Sequence, residues 1–256
     1  MIIERKIVDQ ERGIIQITTS DSRWYLVQEE GKPERFMPSV TWITSTGIPK
    51  GRGYEKWLAD KGIEQAEEIK IAAGDKGSRV HSAISNILLG KSVKYNDTYS
   101  GSEGGEPEEL TAVEYEAIMS FVNWLNETQP EVIAIDYTLV NEQEGYAGTI
   151  DMKLKIGGEV WIVDIKTSKD VYLSHRAQVS AYMAADPECQ KIAILQVGYA
   201  RNKNKYKFTE IEPCYPVFLA AKEIWAQENK DVQPQQKDFP LELKWKKAIE
   251  DKKVVK

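Results

Sequence analysis

The chain has 256 residues, 41% of them hydrophobic, which is enough to bury a core in one domain with embellishments or in one large and one small lobe. No apolar run approaches a membrane span, Met1-Ile2-Ile3-Glu4-Arg5-Lys6 lacks a signal-peptide core, and two cysteines without metal-ligand spacing, Cys189 and Cys214, are too few for a disulfide framework; a reducing, cytoplasmic setting without membrane contact is expected. The net charge of −6 weighs against a polyanionic partner, but Tyr95 to Met152 holds 13 acidic residues and no Lys or Arg, so the remainder is net +7 and can accept nucleic acid.

Residues 1–52 read as an N-terminal β region. Ile14–Thr19 and Arg23–Val27 are strands separated by the turn-prone Ser20-Asp21-Ser22, and Gly31-Lys32-Pro33 turns the chain into Phe36–Thr41. By residue chemistry alone this is a β-hairpin followed by a capped helix. Residues 53–130 form a helical region. Trp57, Leu58 and Ile63 give one apolar stripe, and Ala66, Ile69, Ala72 and Ala73 give another, until Gly74-Asp75-Lys76-Gly77 interrupts. Ser78 is placed to cap a new helix ending at Leu89-Gly90. On it His81 shares a face with Ile84 and Leu88, where a lone histidine is ordinarily a satisfied core or boundary residue. Residues 91–109 read as a mobile acidic loop, a poor phosphate binder. Thr111 then caps a helix whose Tyr115, Ile118, Phe121, Val122 and Leu125 face the core.

The region 131–211 carries the chemistry. After a strand at Glu131–Val140, Met152, Leu154 and Ile156 alternate with Asp151, Lys153 and Lys155, the period of a half-buried strand. Gly157-Gly158 is a two-residue turn signal, and Val160–Lys166 reads as a second, more buried strand. With the glycines as the turn, Asp151 stands opposite Asp164, Met152 opposite Val163 and Leu154 opposite Trp161, while Lys166 points to the side of both carboxylates. Opposed carboxylates on a strand pair have Cβ atoms about 4.5–5.5 Å apart and repel each other. A raised pKa, a nearby cation or a bound metal must compensate. One solution is a surface pair softened by Lys153 and Lys155. The other is a site for a hard divalent cation, Mg²⁺ or Mn²⁺, with Lys166 orienting or activating a water for attack on phosphorus.

A helix from about Tyr172 to Ala185 follows, with Gln178 and Tyr182 on one face and Ala177, Ala181, Ala184 and Ala185 leaving room for close packing. His175, ahead of that pair, reads as surface. Strands at Ile192–Tyr199 and Tyr206–Ile211 flank the basic turn Arg201–Lys205. Residues 212–256 read as a last helix, through Phe218, Leu219, Ile224 and Trp225, and a tail from Lys237 with seven lysines against four acids, suited to nonspecific phosphate contacts.

Gly148-Thr149-Ile150-Asp151, Asp164-Ile165-Lys166-Thr167-Ser168 and Gln178-Val179-Ser180-Ala181-Tyr182 resemble the successive motifs of the PD-(D/E)xK nuclease superfamily. The likeness is to its RecB-like exonuclease branch, which includes the mitochondrial genome maintenance exonucleases and many phage nucleases. It covers roughly residues 23–199, including Pro38-Ser39-Val40-Thr41. An Asp-x-Lys triplet alone is a weak signal; the ordered set is strong.

The resemblance implies an α/β fold, with a mixed central sheet flanked by helices (a restriction-endonuclease-like core) and an N-terminal β/helical embellishment. It implies hydrolysis of DNA phosphodiesters with Mg²⁺ or Mn²⁺, exonucleolytic, in phage or bacterial DNA processing, recombination or repair. Asp151 and Asp164 would be metal ligands, joined by the backbone carbonyl of Ile165 and by His81, which lies in a matching Gly77-Ser78-Arg79-Val80-His81 context. Lys166 would position the water, and Gln178 and Tyr182 would support the carboxylate and lysine. Asp136 occupies a place where relatives carry a carboxylate, usually Glu; as a direct ligand, an outer acceptor or a solvated rim residue it is one methylene short. Some relatives bind an iron–sulfur cluster on four cysteines, which two cysteines cannot do alone. The implied partners are DNA and single-strand-binding or recombination proteins. The alternatives are a noncatalytic nucleic-acid-binding protein on the same fold, which intact Asp151, Asp164 and Lys166 argue against, and a structure-dependent or sequence-specific endonuclease.

Overall fold

Where alternation predicts a hairpin at the N-terminus, four antiparallel strands form: β1 (Glu4–Asp9), β2 (Ile14–Thr18), β3 (Arg23–Val27) and β4 (Arg35–Pro38), hydrogen-bonded in that order. β1 is an edge strand whose Ile7 is 65% exposed, so it lacks the buried alternation that betrays a strand. The computed structural model describes residues 4–19, 22–28, 31, 33–102 and 106–234. Parts of the turns expected at 20–22, 31–33 and 101–107, and the basic tail from Lys237, lie outside the described residues.

Ser39 accepts from the Trp42 backbone N–H at 3.0 Å and so starts α1 (Val40–Gly47). The chain then runs through α2 (Arg52–Lys61) and α3 (Ile63–Leu88), which part at Gly62, a residue in a positive-φ conformation (79°). α3 is one unbroken helix of 26 residues, so the expected interruption at residues 74–77 does not occur and Ser78 is interior. A Cβ at Gly74 would lie a tight 3.3 Å from Ser102 Oγ, whereas one at Gly77 would make only ordinary contact, 3.8 Å from Thr167 Oγ1. Asp75 accepts from both the backbone and the hydroxyl of Ser102, each at 2.7 Å, fastening the following loop to the helix. The apolar stripes expected here are largely unburied: α2 has no buried residue, and Ile63 and Ile69 are exposed, leaving Ala66 in contact with the core.

Within the expected loop, β5 (Thr98–Tyr99) and β6 (Glu108–Glu109) pair as a short ribbon. α4 (Ala112–Thr128) begins with a capping box between Thr111 and Glu114; of its expected stripe Ile118 and Phe121 are buried and Tyr115, Val122 and Leu125 half-buried, and Trp124, outside that stripe, is buried as well. Buried Glu114 also holds Arg79 of α3 at 2.8 Å, joining the two helices.

The central sheet comprises β7 (Glu131–Asn141), β8 (Tyr146–Ile156), β9 (Glu159–Lys166), β10 (Lys191–Val197) and β11 (Tyr206–Glu210), in the order β11-β10-β9-β8-β7. β9 and β10 are parallel and the other pairs antiparallel, so the sheet is mixed. α5 (Leu173–Ala185) makes the crossover between them, and α6 (Tyr215–Glu228) ends the described fold. α1, α5 and α6 cover one face over Ile162, Ile192 and Ile194, while α3 and α4 cover the other over Met152, Leu154, Val163 and Leu195. The protein is thus an α/β fold with helices on both faces of a mixed sheet and an extra antiparallel sheet on its flank. No helix among the described residues is long and apolar enough to cross a membrane.

The expected hairpin register is present: Met152 pairs with Val163 and Leu154 with Trp161. β8 nevertheless changes sides partway. Ile150 packs with the α1/α5 layer but Met152 and Leu154 pack with the α3/α4 layer, although residues two apart on a regular strand share a face. The irregularity falls at Asp151. Across from it on β7, Asp136 sits between the pairs Ile135–Met152 and Tyr137–Ile150 with φ at 49°, a left-handed conformation uncommon for a residue with a side chain. Distorted strand pairs of this kind re-aim side chains beside functional sites.

Gly148, three residues before Asp151, lies against α5: a Cβ there would stand 2.5 Å from Tyr182 Cε1 and 3.2 Å from Val40 Cγ2. Gly148→Ala is expected to destabilise the protein by about 1–3 kcal/mol through overpacking. Urea unfolding followed by circular dichroism measures this; an unchanged midpoint contradicts the packing.

Candidate active site

β9 is flanked by β8 and β10, so its end delivers Asp164, Ile165 and Lys166 from the middle of the sheet. The β8–β9 ladder runs from Ile156–Glu159 to Met152–Val163, which leaves Asp151 and Asp164 just past its last pair. There the Asp151 side chain takes over from the backbone: its Oδ2 accepts from the Ile165 N–H at 2.6 Å. Its Oδ1 lies 3.3 Å from His81 Nδ1. The Lys166 ammonium lies 2.6 Å from Asp164 Oδ2. That contact is an ion pair without hydrogen-bond alignment, so Oδ2 of this buried carboxylate lacks an aligned donor. Asp151, Asp164, Lys166 and His81 are therefore brought together.

Their electrostatics follow from crowding charge where solvent access is limited: the Asp164 side chain is 3% exposed and those of Asp151 and Lys166 are 20% exposed. Burial pushes the Asp164 carboxyl up to about 6, with the Asp151 charge adding to the rise and the Lys166 ammonium opposing it. For Asp151, burial is outweighed by His81, Lys166 and the Ile165 N–H, which hold it below the ordinary carboxylate value. Burial disfavours charge on His81 and Lys166 too, but the neighbouring carboxylates more than offset this and raise both. One carboxylate is held ionised and the other is poised to gain or lose a proton.

The flanking elements set the rim. Gln178 donates to the Tyr182 hydroxyl at 3.0 Å, one helical turn apart on α5, and the buried Tyr182 is raised by burial and by the Asp164 charge. Asp136 is exposed, bonded to the Ser85 hydroxyl, and raised by partial desolvation and the Asp151 charge. Ser85 follows His81 by one turn of α3, an i, i+4 relation that could have flagged it. Lys153 takes no part: it is buried and bound to Asp186 and Glu188, both at 2.7 Å. The two opposed carboxylates are thus not softened from that side.

His175 differs from its reading as surface. It is half-buried in the first turn of α5, and burial together with the charges of Lys166 and Lys50 pushes its pKa down to about 3. Only the fold reveals this, because Lys50 comes from the loop after α1.

Among the described residues, no three His, Cys, Asp or Glu side chains stand ready to hold one metal ion. Asp151 is already committed to His81 and Ile165. The oxygen donors nevertheless fit a hydrated Mg²⁺ or Mn²⁺, because Mg²⁺ is generally held by one or two carboxylates and keeps several waters. An ion bound to Asp164 Oδ2 would share that oxygen with the Lys166 ammonium, 2.6 Å away.

No family model matches the chain, and no curated protein matches it. Among solved structures it is similar to an alkaline exonuclease from Laribacter hongkongensis, at 13% identity over 75% of this chain and 87% of that one, with a TM-score of 0.39. It is also similar to a phage-related exonuclease from Haemophilus somnus 129PT, at 13% identity over 74% and 93% of the two chains, with a TM-score of 0.32. Likeness at this level carries no functional argument, which has to come from the site.

In metal-free protein, side-chain ¹³C NMR should find Asp164 titrating well above the ordinary value of about 3.9 and Asp151 below it. Lys166→Met, which removes the opposing charge, should move Asp164 further up. An Asp164 that titrates at or below the ordinary value contradicts this account of the site.

Proposed function

We propose that the protein is a divalent-metal-dependent deoxyribonuclease that hydrolyses DNA phosphodiester bonds from an end. The observation that carries the reading is the meeting of Asp151, Asp164 and Lys166 just past the last pair of the β8–β9 ladder. Two carboxylates and an ammonium at the end of a buried strand are costly to keep, and they are the groups that cation-assisted attack on a phosphodiester requires.

Each residue has a definite task. Asp151 and Asp164 supply carboxylate oxygens to a Mg²⁺ or Mn²⁺ ion, with the Ile165 carbonyl and His81 completing the protein's share. When bound, that ion polarises the phosphoryl oxygens and stabilises the leaving oxyanion. Lys166 holds the attacking water and offsets the charge that builds on phosphorus in the transition state. Gln178 and Tyr182 keep Asp164 and Lys166 in place from α5. Asp136, solvated and bonded to Ser85, steadies the His81 side of the rim rather than binding the ion. DNA as the polymer, attack from an end, and a setting in phage or bacterial DNA processing, recombination or repair rest on the family resemblance of the three motifs.

The test is incubation of purified protein with labelled single- and double-stranded DNA, linear and circular, in Mg²⁺, Mn²⁺ or EDTA. Linear DNA should be degraded with either ion, circles spared, and EDTA should stop the reaction. Lys166→Ala should lower the rate by at least about a hundredfold and leave the fold intact. Cleavage that survives this substitution, or wild-type protein that binds DNA without cutting it, overturns the reading; the second result would mark a noncatalytic binder.

A pH dependence follows from the burial of Asp164. Protons compete with the cation for its carboxylate, so affinity for Mg²⁺ should fall as pH drops through about 6 and recover above it. Calorimetric titration of Mg²⁺ between pH 5 and pH 8 checks this, and a flat profile contradicts it.

A further inference from the structure

The left-handed backbone of Asp136 costs free energy, since a side chain crowds it there, and such a conformation persists only where neighbours impose it. The neighbours that do so come from the flanking sheet. The β1–β2 turn folds around Asp9, which accepts from the Arg12 backbone N–H at 2.8 Å and from Arg12 Nε at 2.6 Å. Gly13 fastens that turn to the end of β3, its carbonyl accepting from the Gln28 N–H at 3.0 Å. A Cβ on Gly13 would collide with the Gln28 carbonyl oxygen, so glycine is what permits the approach.

From this fixed base the Arg12 guanidinium crosses to β7. Its Nη2 donates to the Thr138 carbonyl, and its central carbon lies 4.7 Å from the centroid of the Tyr137 ring. Thr138 is buried and is held a second time by its hydroxyl, 3.0 Å from Thr149 Oγ1 on β8. The two residues that follow Asp136 are therefore pinned, one at its ring and the other at its carbonyl and hydroxyl. They form the pairs Tyr137–Ile150 and Thr138–Thr149, which stand directly beside the irregularity. The distortion is left to Asp136 and to Asp151 across from it, where β8 changes sides and Asp151 reaches His81.

We propose that Arg12 is a positioning residue for the cation site. By pinning Tyr137 and Thr138 it holds Asp136 left-handed, and so keeps the opposing Asp151 turned towards His81 and the Ile165 N–H. In this role Arg12 touches neither DNA nor cation and acts through β7. The inference rests on the nuclease reading and deepens it, naming what sets the geometry of one of the two carboxylates. A residue that shapes the surroundings of a metal ligand alters metal affinity and the chemical step, and leaves KM for DNA nearly alone.

Arg12→Met keeps an unbranched apolar stem but loses the donors and the charge. It should weaken Mn²⁺ binding about tenfold by calorimetric titration. At a fixed, subsaturating Mn²⁺ concentration it should lower kcat while KM for DNA changes less than about twofold. Tyr137→Phe keeps the ring under the guanidinium and should behave like wild type. Lys222→Met controls for general loosening, because it breaks a 3.0 Å tie from α6 to Glu144 in the turn of the same β7–β8 hairpin; Mn²⁺ affinity should not change. In metal-free protein the ¹³Cα and ¹³Cβ shifts of Asp136 distinguish left-handed from extended backbone, and they should move to extended values in Arg12→Met. Should that variant fail to fold, Arg12→Lys replaces it in both measurements, since lysine cannot reach Asp9 and Thr138 together. Undiminished Mn²⁺ affinity without the guanidinium, an equal loss in Lys222→Met, or Asp136 shifts that stay left-handed overturns the positioning role. Wild-type protein that binds no Mn²⁺ overturns the cation reading instead, and the Asp136 shifts then judge Arg12 alone.

Discussion

Two carboxylates, one buried and one half-buried, share a corner where neither is fully hydrated, and the surrounding structure answers to that constraint. Asp151 and Asp164 come from antiparallel neighbours, and the strand geometry that brings them together also makes them repel. Lys166 and His81 supply the countercharge, one from the same strand and one from α3. The balance is uneven, since Asp164 is still pushed up to about 6 by its burial while Asp151 is held below the ordinary carboxylate value. An arrangement this expensive is weak as a source of stability, because a buried ion pair seldom outperforms apolar packing.

The scaffold keeps the corner rigid from three directions. On the flank, the N-terminal sheet reaches the site through the Tyr25 hydroxyl, 3.0 Å from Thr149 Oγ1, and Thr149 stands 3.0 Å from Thr138 Oγ1 on β7. That sheet, which reads as an embellishment, braces the strand that carries Asp151. On one face Tyr182 fills the space that Gly148 leaves open, and on the other the Arg79–Glu114 pair ties α3 to α4 and so fixes the height of His81. Packing and site are not separate layers of this protein.

Much of this was legible in the residues. Period-two alternation around Gly157-Gly158 determined the hairpin register to the residue, and register decides which side chains meet. The helices holding Phe121 and Tyr182 were also plain, since their apolar or small residues recur at helical spacing. Other features left no local mark. Gly74 and Gly77 look like breaks but sit inside α3, where Asp75 between them fastens Ser102 from a segment distant in sequence. β1 is an exposed edge with little alternation. The change of side at Asp151 and the left-handed Asp136 depend on how β7 and β8 meet, and the surroundings of His175 depend on a lysine 125 positions away in the chain. In each case a tertiary neighbour overrides what short-range pattern can express.

Diffraction from crystals soaked in Mn²⁺ shows whether a divalent cation sits between Asp151 and Asp164. An anomalous peak is expected within coordination distance of both carboxylates, roughly 2.0–2.2 Å from an oxygen of each, with the Lys166 ammonium beside it and outside the coordination sphere. A peak bound to neither aspartate, or Mn²⁺ bound elsewhere while Lys166 remains paired with Asp164, would contradict that placement.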